Sequence, residues 1–82
     1  MIQKNSENAR VLRHLLNVGP LTAPEACQCF VSNNLRSRVS ELSKMGFDIV
    51  SMPVDGKQYN RYLIPPHLLE KNRELFGRHM NG

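Results

Sequence analysis

The residues of this chain able to carry chemistry are three histidines, two cysteines and a dense run of asparagines, serines and arginines. His14, His67 and His79 are scattered along the sequence, whereas Cys27 and Cys29 are two apart. Residues i and i+2 of a helix point to different sides. A disulfide between the cysteines is therefore not expected, and no second cysteine pair completes a zinc site. Both read as small, semi-buried thiols. Phosphate-loop, nucleophile-elbow and metal-cluster motifs are lacking, and nothing places Ser, His and Asp together in catalytic roles. The expectation is a chain that is not an enzyme, with no cofactor, no metal and no small-molecule substrate.

The denser constellation is Asn33, Asn34, Arg36, Ser37, Arg38, Ser40 and Lys44. On a helix turning about 100° per residue, Leu35, Val39 and Leu42 form a buried stripe. The opposite face then holds Asn33, Ser37, Ser40 and Lys44. Arg36 and Ser43 flank it on one side; Asn34, Glu41 and Arg38 flank it on the other. Asn and Arg have the fork geometry that reads adenine and guanine edges, and small serines let a helix approach those edges closely. Lys44 suits a phosphate. A merely solvated face alternates Glu and Lys, whereas Ser and Asn are poorer helix formers whose use here costs stability. Arg38 lies about 70° from the core centre on this wheel, and its second reading is a stem packed on the protein, steadying the preceding helix or a phosphate. Glu41 is awkward beside a polyanion; it accepts from a cytosine amino group or pairs with Arg38 or Lys44.

These residues need elements to hold them. A first helix is predicted from about Ser6 to Val18, capped by Asn5 or Ser6, with Val11, Leu12, Leu15 and Leu16 in one apolar stripe. Gly19-Pro20 stops it. Thr22 followed by Glu25 is a capping box, and Pro24 falls in a first turn that tolerates it. A second helix therefore runs from Ala23 to about Phe30, with Ala26 and Phe30 inward and Gln28 outward. Its first turn, near Thr22 and Ala23, offers N–H groups to a phosphate, an offer that Glu25 weakens. Val31, Ser32 and Asn33 make a tight connection, with Ser32 or Asn33 capping a third helix over 34–45 that Gly46 ends. The pattern then changes to period two. Phe47 to Val54 and Lys57 to Ile64 read as strands joined by a two-residue Asp55-Gly56 turn, and Leu21 is placed to add a third strand. Lys57, Gln58 and Arg61 are offered by this hairpin, with 54–58 reaching the backbone or minor groove of a duplex. Pro65-Pro66 ends the sheet, and a last helix, about 66–79, carries Leu68, Leu69, Leu75 and Phe76 on one side.

The 82 residues make one domain. The expected class is α+β, mostly α: a winged helix-turn-helix of three helices and a β-hairpin wing, with a core over about 5–64 and an extra C-terminal helix. The balance of 11 basic to 7 acidic residues, a net charge of +4, favours a polyanionic partner. No apolar run approaches the ~20 residues that span a bilayer. The stretch Met1 to Glu7 has no signal-peptide core, so the expected location is the cytoplasm or nucleoid of a bacterium, with no membrane partner.

The stretch from Pro20 to Ile64 carries Leu21-Thr22, Glu25-Ala26, Phe30, Leu35-Arg36-Ser37-Arg38-Val39-Ser40-Glu41-Leu42, Lys44-Met45-Gly46, Ile49 and Arg61-Tyr62-Leu63. It resembles a family of small helix-turn-helix proteins common in bacteriophages and prophages. Their pattern runs leucine-threonine, glutamate-alanine, arginine-aliphatic-x-glutamate-leucine, glycine, isoleucine and a closing arginine-tyrosine strand. The resemblance covers a little over half of the chain. It implies a winged helix-turn-helix that binds double-stranded DNA, as a phage or prophage transcription regulator or a recombination accessory factor. Members commonly have a basic residue where Asn34 stands, a departure that bears on base preference. The last helix lies outside the pattern and reads as a cap on the sheet or a support for a homodimer. A single module of this size presents a small interface, which is the reason to expect a second copy on DNA. The alternative reading is a protein-interaction module that docks through the C-terminal helix.

Overall fold

A computed structural model describes residues 6–30 and 35–81, the side chains of 27–30 and 81 excepted. The fold is α+β and mostly helical. Its elements are α1 (Glu7–Asn17), β1 (Leu21–Thr22), α2 (Ala23–Phe30), α3 (Leu35–Lys44), β2 (Val50–Pro53), β3 (Asn60–Leu63), a 3-10 turn at Pro66–Leu68 and α4 (Leu69–Asn81). Among the described residues no helix is long and apolar enough to cross a membrane.

Local chemistry sets most of the boundaries. Ser6 caps α1, its Oγ accepting from the Ala9 N–H at 3.2 Å, which satisfies one of the donors a helix start leaves open. Val18 and Gly19 both donate to the His14 carbonyl at the other end, with Gly19 at φ 139°. At the end of α3, Phe47 N–H reaches the Leu42 carbonyl at 3.2 Å and Gly46 N–H the Ser43 carbonyl at 3.1 Å. This is a Schellman cap, with Gly46 at φ 104° and buried Phe47 closing over buried Leu42.

The core is assembled mainly from the three N-terminal helices and two strands: Val11, Leu12, Leu15 and Leu16 of α1, Leu21 of β1, Ala26 of α2, Leu35, Val39 and Leu42 of α3 and Tyr62 of β3, with Phe47 and Ile64 beside them. Each large aliphatic side chain buried in this way contributes roughly 1.5–3 kcal/mol. Leu21 pairs with Tyr62 and Thr22 with Arg61, so β1 joins the hairpin as a third antiparallel strand, in the order β1-β3-β2.

The strands are shorter than the alternation predicts. The ladder runs from Val50↔Leu63 to Pro53↔Asn60, leaving 54–59 as the connection in place of a two-residue turn. Phe47 belongs to the helix cap, and the Asp48 N–H donates to the Asn72 side chain at 2.9 Å, so neither is free for a ladder. Pro53 has no N–H to continue the pairing. The Asp55-Gly56 turn itself is present, with Lys57 N–H on the Val54 carbonyl at 3.1 Å and Gly56 at φ 73°.

The C-terminal helix is integral to the domain. Leu68, Leu69, Leu75, Phe76 and Met80 pack partly buried against the core. Asn72 is fully buried; its Oδ1 accepts from Asp48 N–H, and its Nδ2 donates to Asp48 Oδ2 at 3.1 Å and to the Leu68 carbonyl at 2.7 Å. Arg73 donates to the Leu16 carbonyl at 2.8 Å, tying α4 to the end of α1.

Candidate nucleic-acid interface

The helix α3 is held by its inner stripe, Leu35, Val39 and Leu42, all buried. The spacing of that stripe turns Arg36, Ser37, Ser40, Ser43 and Lys44 outward, and all five are exposed. Asn33 and Asn34, expected at the start of this face, lie outside the described residues, as do the 31–34 connection and the side chains of Cys27, Gln28, Cys29 and Phe30.

Arg38 does not join the outward set. Its side chain is 28% exposed, and its Nη2 pairs with Glu41 Oε1 at 2.9 Å. Glu41 Oε2 accepts from Asn8 Nδ2 of α1 at 3.2 Å. Both oxygens of the one carboxylate on this flank are therefore occupied, which lessens its repulsion of an anion. The Arg38 stem lies along the domain, as its angle on the helix predicts.

Arg36 faces the hairpin. With Ala23, Gln58, Tyr59, Asn60 and Tyr62 it lines a cleft of about 160 Å³. Helix and hairpin thus share one concave, hydrogen-bonding surface. Asn60 also ties the hairpin together, its Nδ2 donating to Ser51 Oγ at 2.8 Å. Tyr59 and Asn60 are absent from the residues singled out by sequence. Strand alternation carried the signal for Asn60, because a buried Tyr62 puts Asn60 on the same sheet face. The same alternation puts exposed Arg61 on the opposite face, directly across from Met52. Arg61 and Arg36 therefore do not converge. Lys57 is exposed beside the hairpin turn.

The expected phosphate seat at the start of α2 is partly taken by the chain's own capping box. Thr22 N–H donates to Glu25 Oε1 at 3.1 Å, Glu25 N–H donates to Thr22 Oγ1 at 3.4 Å, and the Thr22 hydroxyl donates to Glu25 Oε1 at 2.7 Å. The capping box uses these amides, Pro24 has none, and the carboxylate repels an anion.

Among the described residues no three His, Cys, Asp or Glu side chains gather as a metal site would need. The arrangement suits recognition of a polar, anionic ligand by hydrogen-bonding forks and cations. The chain matches no family model, no curated protein and no solved structure.

Proposed function

We propose that this chain is a winged helix-turn-helix protein that binds double-stranded DNA, with α3 in the major groove and the β2–β3 hairpin as the wing on the backbone or minor groove. The observation that carries the reading is the outward face of α3. Arg36, Ser37, Ser40, Ser43 and Lys44 are exposed together, while Glu41 beside them has both oxygens engaged. A major groove admits one α-helix, and its base edges are read by Arg and Asn forks. Arg36 is the base reader. Lys44 and Lys57 contact phosphates, and Ser37 and Ser40 permit close approach. The shared cleft between Arg36 and the hairpin supports simultaneous engagement by helix and wing.

The resemblance to phage and prophage helix-turn-helix proteins supports a role as a transcription regulator or recombination accessory factor, acting as two copies on adjacent half-sites. The alternative, docking through the last helix, is not favoured. Leu68, Leu69, Leu75 and Phe76 pack against this domain's own core.

Binding of the purified chain to DNA fragments from its own locus, at two salt concentrations and against a polyanion competitor, tests the reading. Tight, competitor-resistant binding to one fragment is expected. Weak binding to every fragment that vanishes with salt would reduce α3 to a basic surface without specificity.

A further inference from the structure

The β2–β3 hairpin has two unlike faces. Tyr62 is buried, and Asn60, two residues before it, shares its face. Ser51 stands directly across from Tyr62 and so lies on that face too, its Oγ accepting from Asn60 Nδ2 at 2.8 Å. The opposite face carries Arg61 and Leu63, with Met52 and Val50 directly across from them. Met52 and Val50 are exposed apolar side chains. The polar face is the one turned toward α3. Gln58, Tyr59 and Asn60 line the cleft of about 160 Å³ from the hairpin side, and Arg36 lines it from α3. Among the described residues that line it, Arg36 is the one charged group. Asp55, the only carboxylate of the hairpin, does not line it. The volume is below the roughly 300–1,000 Å³ of a small-molecule site, so the cleft has room for one group of a larger ligand.

Resting on the DNA reading proposed above, we infer that this cleft seats a single sugar–phosphate strand of the duplex, and that Gln58, Tyr59 and Asn60 are its contacts. One backbone strand divides the major groove from the neighbouring minor groove. A protein with α3 in the first and a hairpin at the second straddles that strand, and the space between the two projections must accept a polyanion. The cleft meets this need: it is lined by a cation and by amide and phenol donors, with no carboxylate among its described lining residues. Asn, Gln and Tyr side chains are ordinary donors to phosphate and sugar oxygens, and such contacts fix register without reading sequence. Base reading stays with Arg36. The Asn60–Ser51 hydrogen bond holds the Asn60 amide before the strand arrives, so less side-chain freedom is lost on binding. Val50 and Met52 have no side-chain donor to offer a phosphate, so the outer face of the hairpin, Arg61 with it, stays off the duplex.

Titration of the full chain on the duplex it binds best, with each phosphate in turn replaced by a neutral methylphosphonate, tests this. Gln58 is exposed, so its variants are read on a folded chain. Gln58→Glu should weaken the intact duplex about tenfold. That deficit should shrink at one phosphate position, between the two grooves, once its charge is removed. Gln58→Lys should bind every sequence more tightly and steepen the slope of log affinity against log salt by about one unit, a gain that misfolding cannot produce. Arg61→Ala should bind close to the parent. A Gln58→Glu deficit that is absent, or that is the same whichever phosphate is neutral, overturns the seat and leaves DNA binding in place. An Arg61→Ala loss as large as that of Gln58→Glu also overturns it, and gives the backbone contact to the outer face. A parent chain that binds no duplex overturns the DNA reading itself, and the seat falls with it.

Discussion

Arg36 and Lys57 carry the same charge and are assigned different work. Arg36 sits on the exposed face of α3 beside the hairpin cleft, so Arg36→Ala should weaken the preferred DNA site by about 1–3 kcal/mol and relax its sequence preference. Lys57, at the hairpin turn, should lower affinity for all sequences alike and reduce the slope of log affinity against log salt by about one unit when changed to Ala. Titrations on specific and scrambled duplexes separate the two, and equal, sequence-blind losses would remove Arg36 as a base reader. A third residue reports on acid stability. Hydrogen bonds from Lys71 and then Asn72 hold the Asp48 carboxyl below its ordinary 3.8, outweighing the opposing effect of its partial burial. Its contribution is therefore complete above that ordinary value and is lost as pH falls through the lowered native one. Asp48→Asn should be less stable than the parent at neutral pH and should show a flatter decline in urea midpoint below about pH 4. An unchanged acid slope would contradict the assignment.

At the scale of elements, the helices were legible because each carries its own punctuation: Ser6, the Thr22–Glu25 box, Gly19 and Gly46 are local signals with local effects. The outward face of α3 was legible for the same reason, since a buried stripe of three residues fixes the angle of every other residue on that helix. Strand ends were not. Phe47 and Asp48 alternate correctly for a strand, but one is captured by the helix cap and the other by a side chain 24 positions away. The face taken by Arg61, which the sequence offered with Lys57 and Gln58 on the hairpin, was not legible, because the inward parity of β3 depends on Tyr62 being the buried member, a tertiary fact. Asn72 carried no sequence signal at all. An asparagine inside an amphipathic helix looks like a surface residue until Asp48 is seen beside it. Asn72→Ala should cost about 1–3 kcal/mol, since it leaves the Asp48 amide without its acceptor. Chemical denaturation checks this, and a change within a few tenths of the parent would mean that α4 is held by its apolar side chains alone.

At the scale of the whole molecule, the sequence pattern placed the core within about 5–64 and left the last helix between a cap on the sheet and a support for a homodimer. The structure covers the core with it, through partly buried Leu75, Phe76 and Met80 and the Arg73 link to Leu16. A domain this small buries only about 60% of its unfolded surface, so the loss of one covering helix matters. A chain ending at Ile64 is expected to lose its cooperative thermal transition, followed by far-UV circular dichroism. A sharp melt in the shortened chain would show that the rest of the domain folds without α4.

The strand order β1-β3-β2 leaves the longest-paired strand in the middle and two stubs outside, Leu21–Thr22 on one flank and Val50–Pro53 on the other. An open flank of a sheet is a template on which stray chains can zip, and length is what makes the template dangerous. One flank here offers two residues, and the other ends in an imino acid that cannot donate. The sheet is thereby self-terminating: it gains a hairpin reach while both open flanks stay too short to make a good template for fibrils.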